Sequence, residues 1–181
     1  MTEEEFYKLR FPIGEFVIPE NISAAMQIEC INDIESFPDR IKKEVIHLSD
    51  HQLDTEYRPN GWTIRQVIHH CADSHMNALI RFKLSLTENK PTIKPYMEHL
   101  WAELIDTKSM PIKPALNIID GVHERWTILL KSLHPDDLKK SYIHPEYNKE
   151  YTLLEAITLY AWHCNHHLAH ITELKKRKGW D

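Results

Sequence analysis

The sequence predicts an all-α four-helix bundle on three observations. Four long segments keep apolar residues at the three- and four-residue spacing of an amphipathic helix. Two of them open on a Thr followed three residues later by Gln or Glu, the capping-box pattern. The stretches between them carry prolines and few strand signals. At 181 residues the chain has the length of one domain with one substantial core, spanning residues 1–181.

The first helix is expected from about residue 22 to residue 48, with Asn21 as its cap and Pro38 marking a break or kink. LDTEYRPNGW follows as a loop rich in turn formers. The second helix opens at Thr63, with Gln66 as its box partner, and continues to about Thr87. Its stripe is Ile64, Ile68, Cys71, Ala78, Phe82 and Leu86. Pro91 and Pro95 bound a connector in which YMEHLWAELIDT reads as one short extra helix. The third long helix, from about Pro114 to Leu133, buries Leu116, Ile119, Val122, Trp126 and Leu130. SYIHPEYNKEYT alternates around an Asn-Lys turn and reads as a small hairpin. The fourth helix opens at Thr152, with Glu155 as its partner, and runs to about Lys178, where a cationic run complements the helix dipole.

Composition excludes several functions. The formal net charge is −5, and acids and bases are interspersed, so no field attracts nucleic acid or anionic lipid. The start MTEEEF has neither the basic nor the apolar region of a signal peptide, and no apolar run reaches about 18 residues. A cytoplasmic protein without a membrane partner is therefore expected. Cys30, Cys71 and Cys164 are odd in number and sit in apolar helical patterns, as reduced core residues do. Only four glycines are present, which leaves no glycine-rich phosphate loop. The unusual number is histidine, at 13 residues, and clustered imidazoles point to a metal.

YAWHCNHHLAHI, residues 160–171, places four histidines within one helix. Residues four apart differ by about 40° around the axis, so His163 shares a face with His167, and His166 with His170. The first pair lines up with Ala156, Tyr160, Ile171 and Leu174 and should face the bundle; the second lines up with Trp162, Glu173 and Arg177 and should face solvent. Two buried imidazoles one turn apart suit a metal, which uses their lone pairs. The spacing is that of HExxH, but Cys164 stands where the protease base would be. Cys164 projects onto the stripe of Ile157, Ala161 and Leu168 as packing. A third ligand is sought in HHCADSH, and periodicity leaves His70 and His75 level there, with His69 farther from the apolar stripe.

LRFPIGEF near the start, RPNGWTIRQVIHHCADSH in the middle and YAWHCNHHLAHITEL near the end together resemble the YfiT family of metal-dependent hydrolases, within the DinB-like superfamily. The resemblance spans essentially the whole chain. It implies a four-helix bundle, a homodimer, and one divalent metal per subunit, Zn2+ or Ni2+. The ligands it implies are His70, just before CADSH, with His163 and His167. His69, His75, His166 and His170 are left to hydrogen bonding around the ligands or to the surface.

Three neutral histidines leave a coordination position open, and no nearby Asp or Glu closes it. Such a metal either activates water against an amide or ester, making a hydrolase of a small molecule, or binds a low-molecular-weight thiol such as bacillithiol for transfer to an electrophile. The absence of a Glu beside the ligands weakens the hydrolase somewhat. A non-catalytic metal-binding protein is the third reading. Tyr96, Trp101 and Tyr142 are candidates to cover the bundle mouth.

Overall fold

The computed structural model describes residues 1–180; residue 181, the last of the expected domain, lies outside the described residues. In chain order the elements are α1 (Glu3–Arg10), α2 (Ala24–Val45), α3 (Asp50–Leu53), α4 (Ile64–Thr87), α5 (Glu98–Trp101), α6 (Ile105–Ser109), α7 (Lys113–Lys131), β1 (Ser141–His144), β2 (Lys149–Thr152) and α8 (Leu153–Lys178). The four long helices α2, α4, α7 and α8 form the bundle. Around its axis α2 packs on α7 and α8, and α4 packs on the same two. Helices α2 and α4 therefore stand on one diagonal and α7 and α8 on the other, so two of the three connections cross the bundle.

Local chemistry places each end. At the start of α4 the Thr63 hydroxyl accepts from the Gln66 amide at 3.2 Å, and the Gln66 side chain accepts from the Thr63 amide at 2.9 Å. Thr152 and Glu155 repeat the arrangement at α8, and Gly179 closes α8 in the left-handed region with φ of 65°. Helix α2 starts two residues later than expected, because Ser23 and not Asn21 caps it. Pro38 lies within α2, and the helix continues through it. Having no amide hydrogen, Pro38 leaves the Ile34 carbonyl without its donor four residues on.

Two features were not anticipated. The N-terminal helix α1 carries a Thr2–Glu5 capping box, acids in its first turn and bases in its last, but buries no residue; helix signals of that kind have no apolar stripe to announce them. The expected single helix between Pro95 and α7 is two short ones, α5 and α6. Both are tied to the start of α4: Gln66 Nε2 donates to the Ala102 carbonyl at 2.9 Å, and the buried Arg65 guanidinium bonds Asp50, Asp54 and the Met110 carbonyl. The hairpin is present, pairing Ser141 with Thr152 through His144 with Lys149. Its β1 also joins the connector after α4, with Ile143 donating to the Pro91 carbonyl at 2.9 Å.

The core is filled by Phe37, Phe82, Ile119, Trp126, Leu130, Ile157 and their neighbours, all essentially without solvent contact. Because Thr152 ends the hairpin and caps α8, Thr152→Ala is expected to lower the unfolding free energy by about 1 kcal/mol. Denaturant titration should show a lower midpoint at unchanged slope; an unchanged midpoint would contradict the capping role.

Candidate metal centre

Adjacent helices α4 and α8 bring three imidazoles together: His70 from α4, with His163 and His167 one turn apart on α8. One nitrogen from each ring lies within 4.8 Å of the other two. His70 Nε2 and His163 Nε2 are 3.3 Å apart, the separation of two nitrogens held about 2.0 Å from one tetrahedral ion. The buried Nδ1 of His167 has no hydrogen-bond partner. Among the described residues no Asp or Glu belongs to this group, so the donor set is three neutral nitrogens. The residues present therefore fit a divalent metal with a position left open.

Burial keeps these rings neutral. It lowers His70 to about 4, helped by the nearby His166, and holds His163 and His167 well below the usual imidazole range, with neighbouring histidines adding to the effect. A neutral imidazole keeps the lone pair that ligation needs.

The second pair differs from expectation. His166 and His170 are 7% and 3% exposed, not solvent-facing. The cover is the N-terminal segment and the loop before α4, neither of which the periodicity of α8 can register. His170 Nε2 donates to the Arg10 carbonyl at 3.0 Å, and its ring stacks on Tyr57 at 3.9 Å between centroids. His166 stacks on Trp162 at 4.4 Å, and Trp162 donates to the Gly14 carbonyl. The motif LRFPIGEF is thus the lid over this face of α8. His69 is buried as well, with its Nε2 unpartnered.

His75 is fully buried, and its Nε2 lies 3.0 Å from His163 Nδ1, on the side of that ring away from His70. His123 of α7, which sequence reading passed over, follows behind it with Nε2 2.8 Å from His75 Nδ1. A signal existed: His123 sits on the apolar stripe between Ile119 and Trp126. Cys164 is buried in the core as expected, with Sγ 3.9 Å from His75 Nε2.

A cavity of about 490 Å³ opens over these three imidazoles. Tyr96 and Tyr142 line it as expected; Trp101 does not, and packs instead on Tyr96 at 4.6 Å. Sequence reading also missed Ser74 and Arg81, which with His70 form one stripe of α4 at spacings of four and seven. The Arg81 guanidinium donates to the Tyr160 hydroxyl at 2.9 Å. Among the described residues Arg81 forms no ion pair. The acids of the rim are Glu98 and Glu146, both exposed and supplied by the connectors.

The histidines make stability depend on pH. His70, His123 and His166 are lowered to about 4, and His170 to about 3, by burial in each case, whereas the unfolded chain titrates near 6.5. Folded pKa values below unfolded ones mean that stability is present above pH about 6.5 and is lost as the pH falls toward 4. Each group contributes about 1.4 kcal/mol per pH unit in that window. The metal-free protein should therefore unfold cooperatively between pH about 6 and 4 with uptake of several protons. Equal stability at pH 7 and pH 5 would contradict this.

The chain is similar to several known proteins. The DinB superfamily matches residues 34–171. A Bacillus cereus protein provisionally named a metal-dependent hydrolase is 52% identical over 172 residues, covering 95% of this chain and 98% of its own. An Oceanobacillus iheyensis protein with the same provisional name is 51% identical over 171 residues, covering 94% and 98%. Among solved structures, YfiT from Bacillus subtilis, described as "a probable metal-dependent hydrolase with an unusual four-helix bundle topology", superposes with a TM-score of 0.93 at 47% identity, covering 96% of this chain and 99% of that one.

Proposed function

The chain belongs to the DinB superfamily, and from that membership and the three-imidazole cluster we propose that it is a metal-dependent hydrolase of a small molecule, holding one zinc or nickel ion on His70, His163 and His167. The observation that carries the reading is the 3.3 Å between two ring nitrogens that burial keeps neutral. When bound, the ion supplies Lewis acidity that polarises a carbonyl and makes water acidic enough to serve as nucleophile near neutral pH. The protein's own groups do the rest. Ser74, with its Oγ 3.4 Å from His163 Nε2, stands where a substrate oxygen or amide would be held. Arg81 and Tyr160 present a cation and a hydroxyl to negative charge that the substrate carries or develops. Trp62, packed on His70 at 4.7 Å, and Tyr96 wall the site against bulk water.

One observation favours a second reading, transfer of a small thiol. Hydrolysis calls for a proton acceptor beside the metal, and the acids of this pocket are exposed ones at its rim. Activation of a thiol would need less proton handling, because a bound cation would favour the thiolate and the thiol proton could leave to solvent through the open cavity. The unpaired Arg81 would then meet an acidic group of the thiol or of its acceptor.

Metal analysis of purified variants tests the ligand set. His163→Ala and His70→Ala should lose the ion, while His166→Ala should keep it; full occupancy in His163→Ala contradicts the assignment. On the zinc-loaded protein, cleavage of amides or esters without thiol supports hydrolysis. Conjugation of bacillithiol to a haloaromatic without cleavage supports transfer, and neither activity with metal bound points to a non-catalytic metal protein. Arg81→Gln should lower kcat/KM for anionic substrates by about tenfold or more. The homodimer implied by the family should give twice the 21.5 kDa chain mass in light scattering; a monomer at micromolar concentration contradicts it.

A further inference from the structure

We propose that His75 and His123 are positioning residues that fix the ring-nitrogen tautomer of His163 through a one-way hydrogen-bond relay ending on the Ile34 carbonyl. The relay runs from His163 Nδ1 to His75 Nε2 at 3.0 Å, from His75 Nδ1 to His123 Nε2 at 2.8 Å, and from His123 Nδ1 to the Ile34 carbonyl oxygen at 2.6 Å. Its direction follows from its last member. A carbonyl only accepts, so His123 Nδ1 carries the hydrogen, and in a neutral ring His123 Nε2 is then a lone pair. That lone pair requires a donor, so His75 Nδ1 is protonated and His75 Nε2 is bare. The same step places a hydrogen on His163 Nδ1. His163 Nε2 is left as a lone pair, and it is the nitrogen that lies 3.3 Å from His70 Nε2.

The carbonyl at the end is available because of Pro38, which removes the helical donor to Ile34. The inward face of α2 thus exposes one acceptor opposite His123. Phe37 packs against both relay rings, at 5.2 Å from His75 and 5.3 Å from His123, and holds them in line. His75, His123 and Cys164 could also be grouped as a second metal site. The 2.8 Å between His75 Nδ1 and His123 Nε2 is a hydrogen-bond length, shorter than the roughly 3.3 Å separating two nitrogens on one tetrahedral zinc.

Without His123 the His75 Nδ1–H has no acceptor. The favourable response is for His75 to move its hydrogen to Nε2, where it faces His163 Nδ1 and drives the His163 hydrogen to the ligating nitrogen. Metal affinity at a site His123 does not touch is therefore expected to fall.

This role in metal binding rests on the proposed ligand set, but the tautomers can be read without metal. Long-range proton–nitrogen spectra of the histidine-labelled, metal-free protein should show His75, His123 and His163 all with hydrogen on Nδ1; an Nε2-protonated ring at any of the three overturns the relay. For zinc, His123→Phe should weaken binding by about 10- to 100-fold in protein that is folded at the measuring temperature. His123→Gln, whose amide can accept from His75 and donate to Ile34, should recover most of the loss. Unchanged affinity in folded His123→Phe, or two zinc ions per wild-type chain, overturns the proposal. Failure of the wild type to bind zinc would instead refute the ligand set and leave the tautomer measurement to judge the relay.

Discussion

A buried imidazole that no carboxylate accompanies stays neutral, and a neutral ring offers one donor and one acceptor, each of which must find a partner. The bundle interior of this protein is arranged around that constraint. Burial holds His70, His75, His123, His163 and His167 below the usual imidazole range. Their nitrogens are then settled in two ways. Along His163, His75 and His123 they are matched donor to acceptor, down to the Ile34 carbonyl. On the opposite side, where His70, His163 and His167 converge, three ring nitrogens crowd together, and the buried Nδ1 of His167 has no hydrogen-bond partner. Such a cluster of neutral rings is used most favourably around a cation, which takes a lone pair from each.

The fold delivers these rings because its connections cross the bundle. With α4 beside both α7 and α8, one helix can supply a residue to the three-imidazole cluster, His70, and another to the hydrogen-bonded row of rings, His75, five residues later. Helix α7 presents His123 to the far side of His75, and α2 supplies the carbonyl that Pro38 leaves free. The connectors α5 and α6, held by Arg65 and Gln66 at the start of α4, and the β-hairpin place Tyr96 and Tyr142 over the cavity. The N-terminal segment closes the other flank, through Arg10 on His170 and Gly14 on Trp162.

What was legible in the sequence is what local periodicity and capping encode. Thr63–Gln66 and Thr152–Glu155 marked the starts of α4 and α8, and the stripe of Ala156, Tyr160, Ile171 and Leu174 put His163 and His167 toward the bundle. The tie between His70 and His75 was not broken by periodicity, since both rings are buried; they differ in which side of His163 they approach, a property of tertiary packing. His166 and His170 were misassigned because their cover comes from about 150 residues away in sequence, and α1 has no apolar stripe of its own. Pro38 reads from the sequence as a break or kink; the helix does not break there, and the freed Ile34 carbonyl is a consequence that only the packing of α7 makes visible. His123, alone among the apolar residues of α7, gave no spacing to its partners on other helices.

The central claim is that one ion is held by three imidazoles with a position left open. X-ray absorption at the metal edge of protein loaded with one equivalent of zinc tests it most directly. Three imidazole nitrogens at about 2.0 Å, completed by oxygen, are predicted. A sulfur scatterer at about 2.3 Å, which would place the ion by Cys164, or a closed shell of four imidazoles would contradict it.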